Sequence, residues 1–226
     1  MNLSDLAANM LQQRSTPDLI ADALREAILR GIFQPGQSLR QDEIATQFGV
    51  SRIPVREALR QLEAEGLVTL HLNRSATVTE LSLLEVQEIC EIRSALEVAA
   101  LGLAISKLSE ADLEKAAMIL NRATDPIAQR LCKSIAFAKL NWEFHATLYA
   151  AAERPRLLKM IKTLHINLER YVHLQMPEMD DWERSQKEHY QLLDACRERD
   201  TKGAIKLLKR HIDSTAKQLM HLKLSV

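Results

Sequence analysis

Apolar positions along this chain recur mostly at spacings of three and four, the rhythm of amphipathic helices. The first such run is Leu19, Ile20, Ala23, Leu24, Ala27 and Ile28. Thr16-Pro17 predicts its start, as an N-cap followed by proline at the first helical position, and Gly31 predicts its stop. Gln34-Pro35-Gly36-Gln37 reads as a turn. A short helix is expected over about 41–48, broken by Gly49, and another from Arg52 to about Glu65, capped by Ser51 and ended by Gly66. The rhythm then changes. Leu67–Leu72 and Ala76–Thr79 are short apolar and β-branched runs flanking Asn73-Arg74-Ser75, which predicts a small hairpin.

From Ser82 onward the helical spacing returns and persists. Ser82-x-x-Glu85 has the form of a capping box opening a helix to about Ser106. Further helices are expected over about 109–123, 127–152, 155–175, 181–199 and 201–222. The predicted organisation is therefore a flexible segment over 1–14, a mixed domain over 15–79 and an all-helical domain over 80–226. The fold class is mainly α, with a small β-hairpin in the first domain and a helical bundle as the second.

Composition sharpens this only in places. Gly and Pro number six each among 226 residues, in keeping with helices and short loops. Cys90, Cys132 and Cys196 form no C-x-x-C pair, which argues for reduced thiols and against a thiolate zinc site. No apolar run approaches a membrane span, and the first residues lack the basic start of a secretion signal, so a cytoplasmic location is expected. Net charge is zero, and residues 1–78 hold eight Arg, no Lys and nine Asp or Glu. Any nucleic-acid face must then arise from geometry rather than bulk charge.

Residues 41–60 supply such a geometry. A helix-turn-helix needs a small residue where its helices approach and a turn residue tolerant of positive φ, here Ala45 and Gly49. Ile44, Phe48, Val50, Val55 and Ala58 occupy the positions expected to face inward. Arg52, Arg56 and Arg60 are spaced by four, which aligns them on one helix face, with Glu57 and Glu63 expected off that stripe. Arginine suits guanine edges and phosphates. Arg40 before the motif and Arg74 at the hairpin tip are expected to reach phosphates.

Gly31-Ile32-Phe33-Gln34-Pro35-Gly36 and the run from Ser51-Arg52-Ile53-Pro54-Val55-Arg56-Glu57-Ala58 to Gly66-Leu67-Val68 resemble the signature of GntR-family regulators. The resemblance covers about 15–79 and implies a winged helix-turn-helix that binds a palindromic double-stranded DNA operator as a dimer, with Arg52 and Arg56 at the DNA; Ser51, next to Arg52, is a further candidate DNA-binding residue. The wing of that family usually carries Gly where this chain has Asn73. Glu91-Ile92-Arg93-Ser94-Ala95-Leu96-Glu97, Asn141-Trp142-Glu143-Phe144-His145, Lys187-Glu188-His189 and Lys209-Arg210-His211 resemble the FadR-like branch, with its all-helical (FCD-type) ligand-binding domain. Many members of that branch hold a divalent metal with an Asp and three His, and sense a small carboxylate. The resemblance thus implies an effector-responsive regulator, expected to be a repressor, with Asn141, His145, His189 and His211 as metal ligands. Asn141 stands where the pattern has Asp.

Geometry argues for the same histidines. His189 and His211 lie eleven residues either side of Asp200, in a segment that reads as a tight helical turn. At 1.5 Å of rise per residue both sit roughly 16 Å from that turn, level with each other. Three imidazoles in a bundle core suit zinc, nickel or manganese. His71, His165, His173 and His221 show no such pairing. Arg93 is a candidate anchor for an anionic effector, the competing assignment being an ion pair with a nearby Glu. Two other functions need weighing. A helical metal-dependent hydrolase would leave the helix-turn-helix without purpose, and the chain has no H-E-x-x-H. A helical dimerisation adaptor with a non-binding helix-turn-helix would fail to shift DNA. An enzyme is not expected.

Overall fold

The computed structural model describes residues 15–72, 75–123, 135–175 and 182–221. Arg74, the segment 1–14 and the start of the helix expected over 127–152 lie outside the described residues. The chain divides into two compact units, Met1–Glu80 and Leu81–Val226.

The first unit opens with α1 (Thr16–Leu29), which buries Ile20, Ala21, Leu24 and Ile28. Its cap is Ser15 rather than Thr16: the Ser15 hydroxyl accepts from the Asp18 amide and donates to the Asp18 carboxylate. Thr16 is already helical, and Pro17 still falls in the first turn, where its missing N–H costs nothing. Arg25 reaches from α1 to Glu65 with two hydrogen bonds of 2.7 Å, a bidentate clamp. Strand β1 (Ser38–Arg40) leads directly into α2 (Gln41–Phe48), and α3 (Arg52–Ala64) follows after Gly49. Gly49 has φ of 64°, the left-handed turn that a side chain would strain. Helix α3 buries Val55, Ala58, Leu59 and Leu62, one stripe at helical spacing.

Strands β2 (Val68–Leu70) and β3 (Ser75–Val78) form the expected antiparallel pair, with Thr69 opposite Thr77. The sheet has a third member that the sequence pattern does not announce. β1 pairs with β3, Leu39 opposite Ala76, giving the order β1-β3-β2. Only Leu39 of its three residues faces inward, too short a run to show alternation. Among the inward positions expected for the helix-turn-helix, Ile44, Ala45, Val55 and Ala58 are buried. Phe48 is not: it is 41% exposed at the end of α2, where the chain turns away at Gly49.

The second unit is a bundle of α4 (Leu83–Ala104), α5 (Glu110–Ala123), α6 (Ile135–Ala150), α7 (Pro155–Gln175), α8 (Trp182–Arg197) and α9 (Thr201–His221). Helix α9 packs along α4, α5 against α6, and α8 against α9. The core gathers Leu101, Phe144, Leu148, Ile161, Leu193, Leu208 and Ile212. The capping box at Ser82 does not form. The Ser82 side chain makes no capping bond; instead its amide donates to Tyr171 Oη at 3.0 Å, and Glu85 accepts from Tyr171 and Arg170. A tertiary partner on α7 has replaced the local cap. The turn between α8 and α9 places Arg199 at φ of 59°, and its guanidinium donates to the carbonyls of Ile105 and Leu108 at 2.7 and 2.6 Å. Those bonds anchor the α8–α9 hairpin to the end of α4. No helix among the described residues is long and apolar enough to cross a membrane.

Candidate nucleic-acid interface and metal centre

Helix α3 presents Arg52, Arg56 and Arg60 to solvent on one side while its apolar stripe faces α1 and the sheet. Ser51 is the N-cap residue and is exposed, with no side-chain capping bond. Arg40 caps α2 from the end of β1 and is also exposed. Each of these arginines has a carboxylate beside it. Arg52 pairs with Asp42, Arg40 with Glu43 at 3.2 Å, and Glu57 lies 3.0 Å from Arg60 and 3.8 Å from Arg56. Glu57 therefore does not stand off the arginine stripe; its flexible side chain bends back between two arginines. Such exposed pairs are weak and are exchanged readily for phosphate. One exposed residue was not singled out from sequence: Ile53, beside Arg52, is 64% exposed. The signal was its position one residue after Arg52 in a helix whose buried stripe begins only at Val55.

In the second unit α6, α8 and α9 contribute His145, His189 and His211 to one point. A ligand atom from each lies within 4.8 Å of the others. Ring centroids are 4.6 Å apart for His189–His211, 5.1 Å for His145–His189 and 5.5 Å for His145–His211. All three are buried, and Phe144 packs against the rings of His145 and His189. The hairpin arithmetic about Asp200 thus brings two arms level, and α6 supplies the third ring. Asn141 lies one turn before His145 on α6 and is half-buried.

The cluster is short of hydrogen bonds. His145 Nε2 and both nitrogens of His189 are buried without a partner. An orphaned buried polar atom costs about 1–3 kcal/mol, and three in one place make a donor set whose demand a bound ligand can meet. Burial above all pushes His145 and His189 well below the ordinary imidazole range, leaving them neutral with lone pairs to offer. A neutral, all-nitrogen donor set in a bundle core fits a divalent transition metal.

Around this cluster runs a polar network that sequence spacing only partly reveals. Arg93 Nε donates to Glu97 Oε1 at 2.7 Å, one helical turn away, and both side chains are buried. The competing assignment for Arg93, a partner Glu, is thereby realised. His165, which showed no pairing in sequence, sits with Nε2 at 2.9 Å from Arg93 Nη2 and 3.1 Å from Glu97 Oε1, and its ring lies 6.0 Å from that of His145. Tyr149 donates to Glu97 Oε2 at 2.7 Å and touches His145 Nδ1 at 3.1 Å. Burial works to raise the Glu97 pKa, but Arg93, His165 and His145 outweigh it and hold the carboxyl well below its ordinary value. His71 is exposed and bonds to Thr77, while the side chains of His173 and His221 lie outside the described residues.

Comparison with known proteins accords with both halves. Residues 17–78 match the model of bacterial regulatory proteins of the gntR family, and residues 88–214 match the FCD domain, more than half of the chain. The chain belongs to the GntR family, with an FCD domain. This GntR-family chain is 31% identical over 144 residues to the uncharacterized HTH-type transcriptional regulator YdhC of Bacillus subtilis (strain 168), covering 64% of the chain but only 63% of that relative. It is 24% identical to the HTH-type transcriptional repressor RspR of Escherichia coli (strain K12), over 88% of the chain and 87% of that protein. Among solved structures, E. coli McbR/YncC superposes with a TM-score of 0.78 at 25% identity, covering 92% of this chain and 98% of that one. The protein is a transcriptional regulator of the DNA-binding GntR class, not an enzyme.

Proposed function

We propose that this regulator is an effector-responsive repressor that binds a palindromic operator as a homodimer. In this reading the unit up to Glu80 binds DNA and the unit from Leu81 senses a divalent metal together with a small carboxylate. The observation that carries the sensing half is the three-histidine cluster, with ligand atoms within 4.8 Å and orphaned buried nitrogens. His145, His189 and His211 would hold the ion, with Asn141 as a weaker fourth donor. A bound zinc, nickel or manganese ion supplies a Lewis-acidic centre that can accept a carboxylate. Charge favours an anionic co-ligand. Three imidazoles and an amide are all neutral, and the nearby carboxylates Glu97 and Glu188 are already paired with Arg93 and Arg184. A dication held there keeps both charges uncompensated, which is costly in a buried site. The small carboxylate answers that need; Arg93, the candidate anchor for it, would have to share its guanidinium with Glu97.

On the DNA side, Arg52 and Arg56 are proposed to read base edges, with Arg40, Arg60, Ser51 and Arg74 at phosphates. Ile53, exposed one residue after Arg52 and three before Arg56, offers an apolar surface suited to a thymine methyl. One recognition helix covers one half-site, so two-fold pairing of protomers matches a palindrome. The test is to select duplexes from a random library with the full-length protein, then titrate the selected duplex with and without zinc and small carboxylates. Symmetric half-sites and a ligand-dependent change in affinity are expected. Asymmetric or absent selection would overturn the operator reading. An affinity unmoved by any metal or carboxylate would overturn the sensing half.

A further inference from the structure

Two of the three clustered histidines are held from behind. Tyr149 Oη has a single hydrogen and donates it to Glu97 Oε2 at 2.7 Å. Glu97 is an acceptor only, because its ion pair with Arg93 keeps it charged. With its hydrogen committed, the Tyr149 oxygen can only accept from His145 Nδ1, 3.1 Å away. His145 must then carry its hydrogen on Nδ1, and Nε2, the buried atom without a partner, bears the lone pair. His211 follows the same logic. Its Nδ1 lies 2.8 Å from Glu188 Oε2, and Glu188 also pairs with Arg184 at 3.2 Å, so the carboxylate accepts and Nδ1 donates. His189 differs, because neither of its nitrogens has a partner.

We infer that Tyr149, itself fixed by Glu97, and Glu188 are positioning residues that lock His145 and His211 as Nδ1–H tautomers, aiming both Nε2 lone pairs at one point before any ligand arrives. His189 is the unlocked member and adapts to what binds. The use of this device rests on the metal reading above, but the tautomers rest on the hydrogen bonds alone. Outer partners of this kind hold ring orientation and basicity, and their loss typically weakens metal binding about 10–100-fold.

The experiment uses full-length protein labelled with nitrogen-15 at histidine, stripped of metal and held near neutral pH. Long-range proton–nitrogen correlation reads the tautomer of each ring, and zinc affinity is read by competition with a chromophoric chelator. His145 and His211 are expected to carry hydrogen on Nδ1. In Tyr149→Phe, His145 loses that preference, His211 keeps it, and zinc binds about 10–100-fold more weakly. In Glu188→Ala the change falls on His211 instead, a second route should Tyr149→Phe fail to fold. A purely structural role would weaken zinc binding without moving a tautomer. Nε2–H on either ring in the wild-type protein, or an unmoved tautomer in the variants, would overturn the inference. Locked Nδ1–H rings with no zinc binding would uphold the inference and remove the metal reading, whereas zinc binding to Nε2–H rings would do the reverse.

Discussion

The arginine face of α3 and the histidine core of the second unit solve opposite problems. On α3 every cation is exposed and has a carboxylate within reach, Asp42 for Arg52 and Glu57 for Arg56 and Arg60, and Arg40 ahead of α2 has Glu43. In the bundle the three imidazoles are buried, and three of their nitrogens, one on His145 and two on His189, have no hydrogen-bond partner. Exposed pairs cost little to break, so the first surface is ready to exchange partners and its bulk neutrality is no obstacle to DNA. Orphaned buried nitrogens hold an unmet demand, which on the proposed reading a bound ligand completes. Recognition by exchange and recognition by completion predict different sensitivities.

The largest effect belongs to the buried network. Glu97→Ala leaves Arg93 charged and unpaired in the core and should destabilise the second unit by about 3–5 kcal/mol, read by denaturant unfolding. A loss below about 1 kcal/mol would mean that the network is relaxed by water and that the contrast with the surface is weaker than drawn.

Acid should act next, on the bundle. Burial holds His145, His189 and His165 below the ordinary imidazole range. The unfolded chain therefore takes up protons first, near a pH of about 6.5. Stability is full above that value and falls as pH drops through it toward the lower folded-state values, by about 1.4 kcal/mol per pH unit for each histidine. Metal-stripped protein followed by thermal unfolding across this range checks the sign. Constant stability down to the carboxylate range would contradict it.

Arg52→Ala and Arg56→Ala should each weaken binding to a selected operator by about 1–3 kcal/mol while leaving thermal stability in place. Unchanged affinity in both, with folding intact, would sink the assignment of that face. The smallest change is Asp42→Asn, which frees Arg52 from its carboxylate. Operator affinity should tighten by no more than about 1 kcal/mol, most visibly at low salt.

How much of this was legible in sequence follows from the range of the interactions. The helices of both units show in the spacing of Leu, Ile and Ala, because a buried stripe imposes its own period. The level placement of His189 and His211 follows from rise per residue about one turn. Local rules failed where a distant residue intervened. Ser82 and Glu85 read as a capping box, but Tyr171, 89 residues along from Ser82, takes both. β1 escaped because its pairing with β3 is tertiary and three residues carry no visible alternation. His165 looked solitary because its partners, Arg93 and Glu97, lie on another helix. The i,i+4 spacings of Arg93 with Glu97 and of His145 with Tyr149 were the local traces of that network.

The most direct test of completion is the metal content of the full-length protein at neutral pH, by elemental analysis and calorimetry with zinc. One ion per chain is expected in the wild-type protein, and none in His189→Ala, which removes one of the three converging imidazoles. A wild-type chain that takes up no ion, or a His189→Ala variant that binds as tightly, would contradict the reading of this core as a metal site.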